Sequence, residues 1–188
     1  MTAFVHVVDC REGEAAFAEA EGADCSGSRA GNLYVQYWLY YPDSATLREV
    51  PVAGEKGFHR DDWESVQVRV GSDGEVDARA SSHHGYNHGL SALNWGSDAG
   101  FDPVRNVTEA VGARVVNGWG PETRMLLVSG GSHAGNVGGI PDADRFTPGG
   151  RVQLIPLEPI AAGDRSTFAV APPWLKQVWR DPEAEGTD

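Results

Sequence analysis

Period-two alternation is the strongest pattern along the chain. Residues 63–70 (WESVQVRV) put Glu64, Val66, Val68 and Val70 on one side of an extended backbone, and Ser65, Gln67 and Arg69 on the other. This predicts a half-buried strand whose valine row faces the core. Residues 33–41 (LYVQYWLYY) are aromatic and β-branched, as strands prefer, and Pro42, Asp43 and Ser44 predict the strand's end. Ser72, Asp73 and Gly74 are a turn signal, which makes residues 75–82 the hairpin partner of the valine strand. Further short strands are expected at residues 1–9, 113–117, 124–129, 151–157 and 167–170. Helical spacing is scarce. Residues 12–21 (EGEAAFAEAE) fit a short helix or an acidic loop. Residues 172–180 (PPWLKQVWR) predict a closing helix, with Pro at its start and Leu175, Val178 and Trp179 at helical spacing.

Residues 44–57 read as a loop. So do 83–110 and 130–150, which are rich in Gly, and long irregular stretches of this kind are often functional. Short strands between turn signals, with neither a repeat nor helix–strand alternation, predict an all-β fold. The expected form is a β-sandwich of antiparallel strands with long loops at one edge and a short C-terminal helix. Residues 1–180 make one domain, and 181–188 (DPEAEGTD) a polar tail.

Composition narrows the function classes. The 24 Gly and 11 Pro suit a turn-rich chain. A net charge of -12, with scattered basic residues, argues against nucleic acid and against charge-driven binding to an anionic membrane. No stretch is apolar and long enough to span a bilayer, so a soluble protein is expected, secreted or cytoplasmic. The first ten residues lack a basic segment followed by a long apolar run, so no signal peptide is expected among them. Cys10 and Cys25 are too far apart for a CxxC motif. They suit either one disulfide or two buried thiols.

The chemistry gathers where the valine strand begins. Asp62 and Glu64 continue the row of Val66 and Val68, so two carboxylates sit at the end of an inward-facing line. Burying them bare is costly; a metal, basic partners or raised pKa values are the usual remedies. His59 lies one turn earlier. The plainer alternative is a strand end in solvent with Arg60 pairing an acid. His83, His84 and His88 follow the hairpin partner, and His133 follows another expected strand, so histidines collect at strand ends as a ligand cluster would. Ser132, in Gly130–Ala134 (GGSHA), has Ala where a nucleophile elbow has Gly, and no parallel α/β framework surrounds it.

Four segments together resemble a known superfamily. His59-Arg60-Asp61-Asp62-Trp63-Glu64 resembles the HxxDWE motif shared by the necrosis- and ethylene-inducing peptide-like proteins and the family related to vacuolar protein sorting protein sixty-two. Tyr37 to Asp43 (YWLYYPD) is similar to their aromatic strand, Ser81-Ser82-His83 to their SxH segment, and Gly131 to Ala134 (GSHA) to a segment of the sorting-related family. The order is the same, across roughly residues 33–136. The resemblance implies a β-sandwich with a metal in an acidic cavity at one edge. It carries ligand roles to Asp43, His59, Asp62, Glu64, His83 and His133. Two departures stand out: Asp61 replaces the His that precedes the motif's Asp in the necrosis-inducing proteins, and Asp43 follows Pro42 directly.

Three functions are therefore expected to compete. One is a metal-dependent hydrolase using Ca, Mg, Mn or Zn, with Asp61 or His84 as general base. Another is metal-assisted binding of a small molecule, glycan or lipid headgroup, to which Trp95 and Trp119 would add stacking surfaces, although ordinary packing explains each Trp more simply. The third is a metal that only stabilises the fold.

Overall fold

A computed structural model describes residues 2–45, 58–82, 85–87, 118–122, 124, 126–128, 133, 135–137, 153–157 and 168–184. Seven strands form one sheet: β1 (Thr2–Asp9), β2 (Leu33–Ala45), β3 (Phe58–Val70), β4 (Val76–Ser82), β5 (Gly85–Asn87), β6 (Gly120–Pro121) and β9 (Gln153–Pro156). Their order is β5-β4-β3-β2-β1-β9, with β6 also on β4. β7 (Leu127–Val128) and β8 (Gly135–Asn136) make a separate two-stranded ribbon. Helix is confined, among the described residues, to α1 (Ala15–Ala20), α2 (Gln177–Arg180) and single 3-10 turns at Gly27–Arg29 and Pro173–Leu175. The chain is all-β in class, with a short C-terminal helix. The described residues give one large sheet with a ribbon on it, rather than two full sheets.

Several expectations change. The β1–β9 pair is parallel, unlike the other ladders. Residues 113–117 lie outside the described residues, and Phe168–Val170 are irregular rather than a strand. The closing helix is broken, because Lys176 is extended between the 3-10 turn and α2. β2 does not stop at Pro42 but runs through it to Ala45. β1 reaches only as far as Trp38, so beyond that point β2 pairs on one side. Pro42 falls between the paired positions Tyr41↔Asp62 and Asp43↔Arg60, where its missing N–H costs no ladder bond.

The valine row is not the more buried side of β3. Val66 and Val68 are half-buried; with Ala78 and Ala80 they pack under Leu126 and Val137, which flank the ribbon. Gly135 brings the ribbon close, since a Cβ there would lie 2.9 Å from that of Ala80. The opposite side is the more tightly covered, although Tyr40 there stays 39% exposed. Tyr34, Gln36, Trp38, Ser65, Gln67, Arg79 and Ser81 are all buried there.

The cover over that side comes from the C-terminal segment, including residues 181–184, which are packed structure and not a polar tail. Gln36 Nε2 donates to the carbonyl of Val178 at 2.7 Å. Arg79 donates to the carbonyls of Pro182 and Ala184, at 2.7 and 2.8 Å, and to Gln67 Oε1 at 3.0 Å. Its guanidinium also lies 4.4 Å from the ring centres of both Tyr86 and Trp119. Glu183 accepts from Tyr34 Oη (2.7 Å), Arg69 (3.1 Å) and Trp119 Nε1 (2.6 Å). Buried polar groups are tolerable only when satisfied, and this segment supplies acceptors for donors that the sheet presents. Val178, Trp179 and Ala184 add apolar contact with Trp38, Trp63 and Tyr86.

Cys10 and Cys25 form a disulfide around α1, with Cα atoms 5.2 Å apart. The same loop anchors the C-terminal segment through Asp24 N–H to Arg180 O, at 2.7 Å, and Arg29, in the 3-10 turn just after it, adds an ion pair with Asp181 at 2.6 Å.

Candidate functional site

The register of β2 on β3 builds the site. Tyr41 is paired with Asp62, Leu39 with Glu64 and Asp43 with Arg60, so Tyr41, Asp43, Asp62 and Glu64 share one side of the sheet. Asp61 interrupts the regular strand with φ of 61°, a left-handed conformation that Asp tolerates better than most residues. Its carboxylate is held on the other side. Oδ1 accepts from Tyr40 Oη at 2.8 Å and Oδ2 from the Ala169 N–H at 2.7 Å. The Ala169 N–H and the Tyr40 hydroxyl keep Asp61 below the ordinary carboxylate range. With both oxygens engaged, Asp61 clasps the strand on that side.

The departure at Asp61 also bears on His59. Strict alternation would send His59 away from Asp62, yet its Nε2 lies 3.9 Å from Asp62 Oδ1. Trp63, also in the motif, is structural: its ring packs against Phe4, Tyr40, Phe168 and Trp174.

Asp62 is the centre of the cluster. It is 7% exposed, and its Oδ2 meets His133 Nδ1 at 2.8 Å. The His133 ring stacks on Tyr41, with centroids 3.8 Å apart and planes within 3°. Burial, followed by the nearby charges of Glu64 and Asp62, pushes the Tyr41 phenol up to about 12, so it stays protonated at neutral pH. Glu64 Oε2 accepts a very short hydrogen bond from the Ser81 hydroxyl, and Ser81 Oγ in turn accepts the Ser65 backbone N–H at 2.8 Å. The β3–β4 ladder ends one pair earlier, at Val66↔Ala80, so a side chain takes over where backbone pairing stops.

The structure thus brings together Asp62, His133 and His59, with Glu64 on the same side. Asp43 is exposed on that side. His83, His84, His88, Trp95 and Ser132 lie outside the described residues. Trp119 is not a free stacking surface, being packed on Tyr34 and Arg79 and bonded to Glu183.

Among the described residues, no group of three or more His, Cys, Asp and Glu is placed to hold a metal ion. The donor chemistry nevertheless suits one, since a carboxylate flanked by two imidazoles, with a second carboxylate beside it, is a mixed nitrogen–oxygen set. Ligands about 2.1 Å from a shared ion stand roughly 3–3.5 Å apart. The contacts at 2.8 and 3.9 Å fall on either side of that range. No family model, curated protein or solved structure matches the chain.

Two members of this cluster escape a search for ligand types. Tyr41 reads as one more aromatic in a strand until the Tyr41↔Asp62 register is known. Ser81 stands beside a conspicuous histidine pair in the sequence, and its bond to Glu64 depends on where the ladder ends.

Proposed function

We propose that this protein binds a divalent cation on the Asp62 side of the β2–β3 pair and uses it for hydrolytic chemistry. Asp62, Glu64, His59 and His133 would hold the ion. The resemblance adds His83 from the SxH segment and Asp43 from the YWLYYPD segment as further ligands. The observation that carries this reading is the company Asp62 keeps. Among the described residues, both ion-pair contacts of this buried carboxylate are with imidazoles. With Glu64 on the same side, they make a mixed nitrogen–oxygen donor set that a divalent cation would suit. Mixed nitrogen and oxygen donors favour zinc or manganese over calcium.

Such an ion, when bound, lowers the pKa of water or polarises an ester or phosphate. The chain's own residues position it: Ser81 holds the Glu64 carboxylate, and Tyr41 and Asp62 hold the His133 ring. The general base would come from His84, because Asp61 is engaged on the other side of the strand. The Cys10–Cys25 disulfide favours an oxidising compartment, hence a secreted protein.

Metal analysis of protein purified without added metal, and again after exposure to zinc or manganese and desalting, tests this reading. One ion per chain, lost in Asp62→Ala/Glu64→Ala, is the expected result. A chain that retains no ion from either solution would end the metalloenzyme reading.

A further inference from the structure

We propose that His6 is an acid-operated latch on α2: its neutral ring clamps Gln177–Arg180 to the sheet, and a proton on Nε2 weakens the clamp. The latch lies on the more tightly covered side of the sheet, away from Asp62, and does not depend on a cation there. The His6 ring lies flat on Trp179, with centroids 3.6 Å apart and planes within 7°. Its Nδ1 meets Gln36 Oε1 at 3.1 Å, and Gln36 Nε2 donates to the Val178 carbonyl at 2.7 Å. With that amide nitrogen committed to Val178, the oxygen facing His6 can only accept. Nδ1 therefore carries the hydrogen, and Nε2 is the atom that gains a proton. One imidazole thus holds α2 twice, through the Trp179 ring and through Gln36.

The space around the ring decides what protonation does. His6, Val8, Ala18, Glu21, Trp179 and Arg180 line a crevice with room for no more than about one water. An imidazolium there is poorly hydrated unless α2 moves. Among the described residues, the charged side chains lining the crevice are Glu21, at the end of α1, and Arg180, on α2 itself. Glu21 favours the proton and Arg180 repels it. β2 presents the neutral Gln36. The Gln36 bond and Glu21 favour the charged ring, yet burial outweighs both and holds the His6 pKa below its ordinary value. A ring that binds its proton more tightly when uncovered draws the open form as pH falls. The moving piece is short, because Lys176 and Asp181 bound α2 with extended backbone, and Arg79 still holds the carbonyls of Pro182 and Ala184 beyond it. The Asp24 N–H, which donates to the Arg180 carbonyl at 2.7 Å, loses its partner when α2 lifts.

Amide exchange by NMR on the full chain tests the latch, alongside titration of the His6 ring protons, assigned by their loss in His6→Phe. Exchange at each pH is expressed relative to the intrinsic rate at that pH. Protection of the Asp24 amide should fall as His6 titrates, by up to about tenfold for each pH unit between the buried and the free titration of the ring. Amides of β2 and β3 should keep theirs. In His6→Phe, which keeps a ring on Trp179 but takes up no proton, Asp24 protection should stay level over the same range. His6→Gln serves the same purpose if the phenylalanine variant fails to fold. Asp24 protection that stays level through the His6 titration in the wild type would overturn the proposal. So would an equal loss in a variant that cannot titrate, or a His6 ring that titrates at or above the ordinary histidine value. A loss shared by β2 and β3 would also end it, since that is global unfolding and not the release of α2.

Discussion

The two sides of β3 exchange the roles that their residues suggest. The side with Glu64, Val66 and Val68 looks like core in the sequence, yet it is only half-buried under a two-stranded ribbon. The side with Ser65 and Gln67 looks like a solvated surface, yet both residues are 1% exposed or less. Hydrophobicity sets which side can be buried cheaply. The partner available decides which side is buried more fully. Here the C-terminal segment brings carbonyls and one carboxylate to a sheet face rich in donors, so a polar side becomes the tighter interface. The apolar side keeps an open margin, and the carboxylates and imidazoles gather there. One side is the tighter interface and the other stays partly open.

The sharpest test of that division is Arg79→Ala. It leaves the carbonyls of Pro182 and Ala184 without their donor and unseats the C-terminal segment. The expected loss is about 3–5 kcal/mol, read from the urea midpoint. A loss below about 1 kcal/mol would show that the segment is not fastened through this side. Next comes the disulfide. Cys10→Ser/Cys25→Ser opens a loop of sequence separation 15, which should cost about 3 kcal/mol. Because Asp24 in that loop also holds the Arg180 carbonyl, hydrogen exchange should speed up at residues 177–184 as well as within the loop.

The other side should respond in the opposite manner. Asp62→Asn keeps an acceptor for His133 and removes a buried charge, so its effect on the urea midpoint should stay within about 1 kcal/mol. Metal uptake should nevertheless fall sharply. A variant that unfolds instead would make Asp62 a structural residue and erase the contrast between the two sides.

The smallest expected effect is a pH dependence on the stability side. Burial is the main cause that lowers the pKa of His6, whose ring stacks on Trp179 at 3.6 Å and contacts Gln36 at 3.1 Å. The Gln36 hydrogen bond and, less strongly, Glu21 favour the charged form and oppose the shift only in part. The folded protein therefore keeps His6 neutral at pH values where the unfolded chain has already taken up a proton. Stability should fall as pH drops from the ordinary histidine range towards the lowered folded value, then level off with respect to this group. Melting curves of the wild type and His6→Phe across that range should converge at neutral pH and separate below it. Parallel curves would show that His6 takes no part.

Much of the framework can be read from local pattern. The β3–β4 hairpin follows from alternation and from Gly74, which has φ of 85° in its turn. The aromatic run of β2, the short α1 and the all-β class are equally local. Asp62 and Glu64 stand out because they continue the alternating row of Val66 and Val68, with His59 three residues before Asp62. The strand's continuation through Pro42 is less accessible, because it depends on where β1 stops. The packing of residues 181–184 is hidden for a similar reason. Pro182, Glu183 and Ala184 look like a polar end until Arg79, Tyr34 and Trp119 are set above them.

The sequence by itself determined which stretches are extended, where the chain turns and which side chains have chemistry to offer, because these depend on neighbours two to four residues apart. Only the tertiary structure decided which side of β3 is more tightly covered, that Tyr41 lies on His133, and that Asp61 faces away from Asp62. Those outcomes turn on register and on contacts between residues far apart in the chain, such as Tyr34 with Glu183, 149 positions away. No local pattern encodes them, because the free energy of such a pair is set by what the rest of the chain brings within reach.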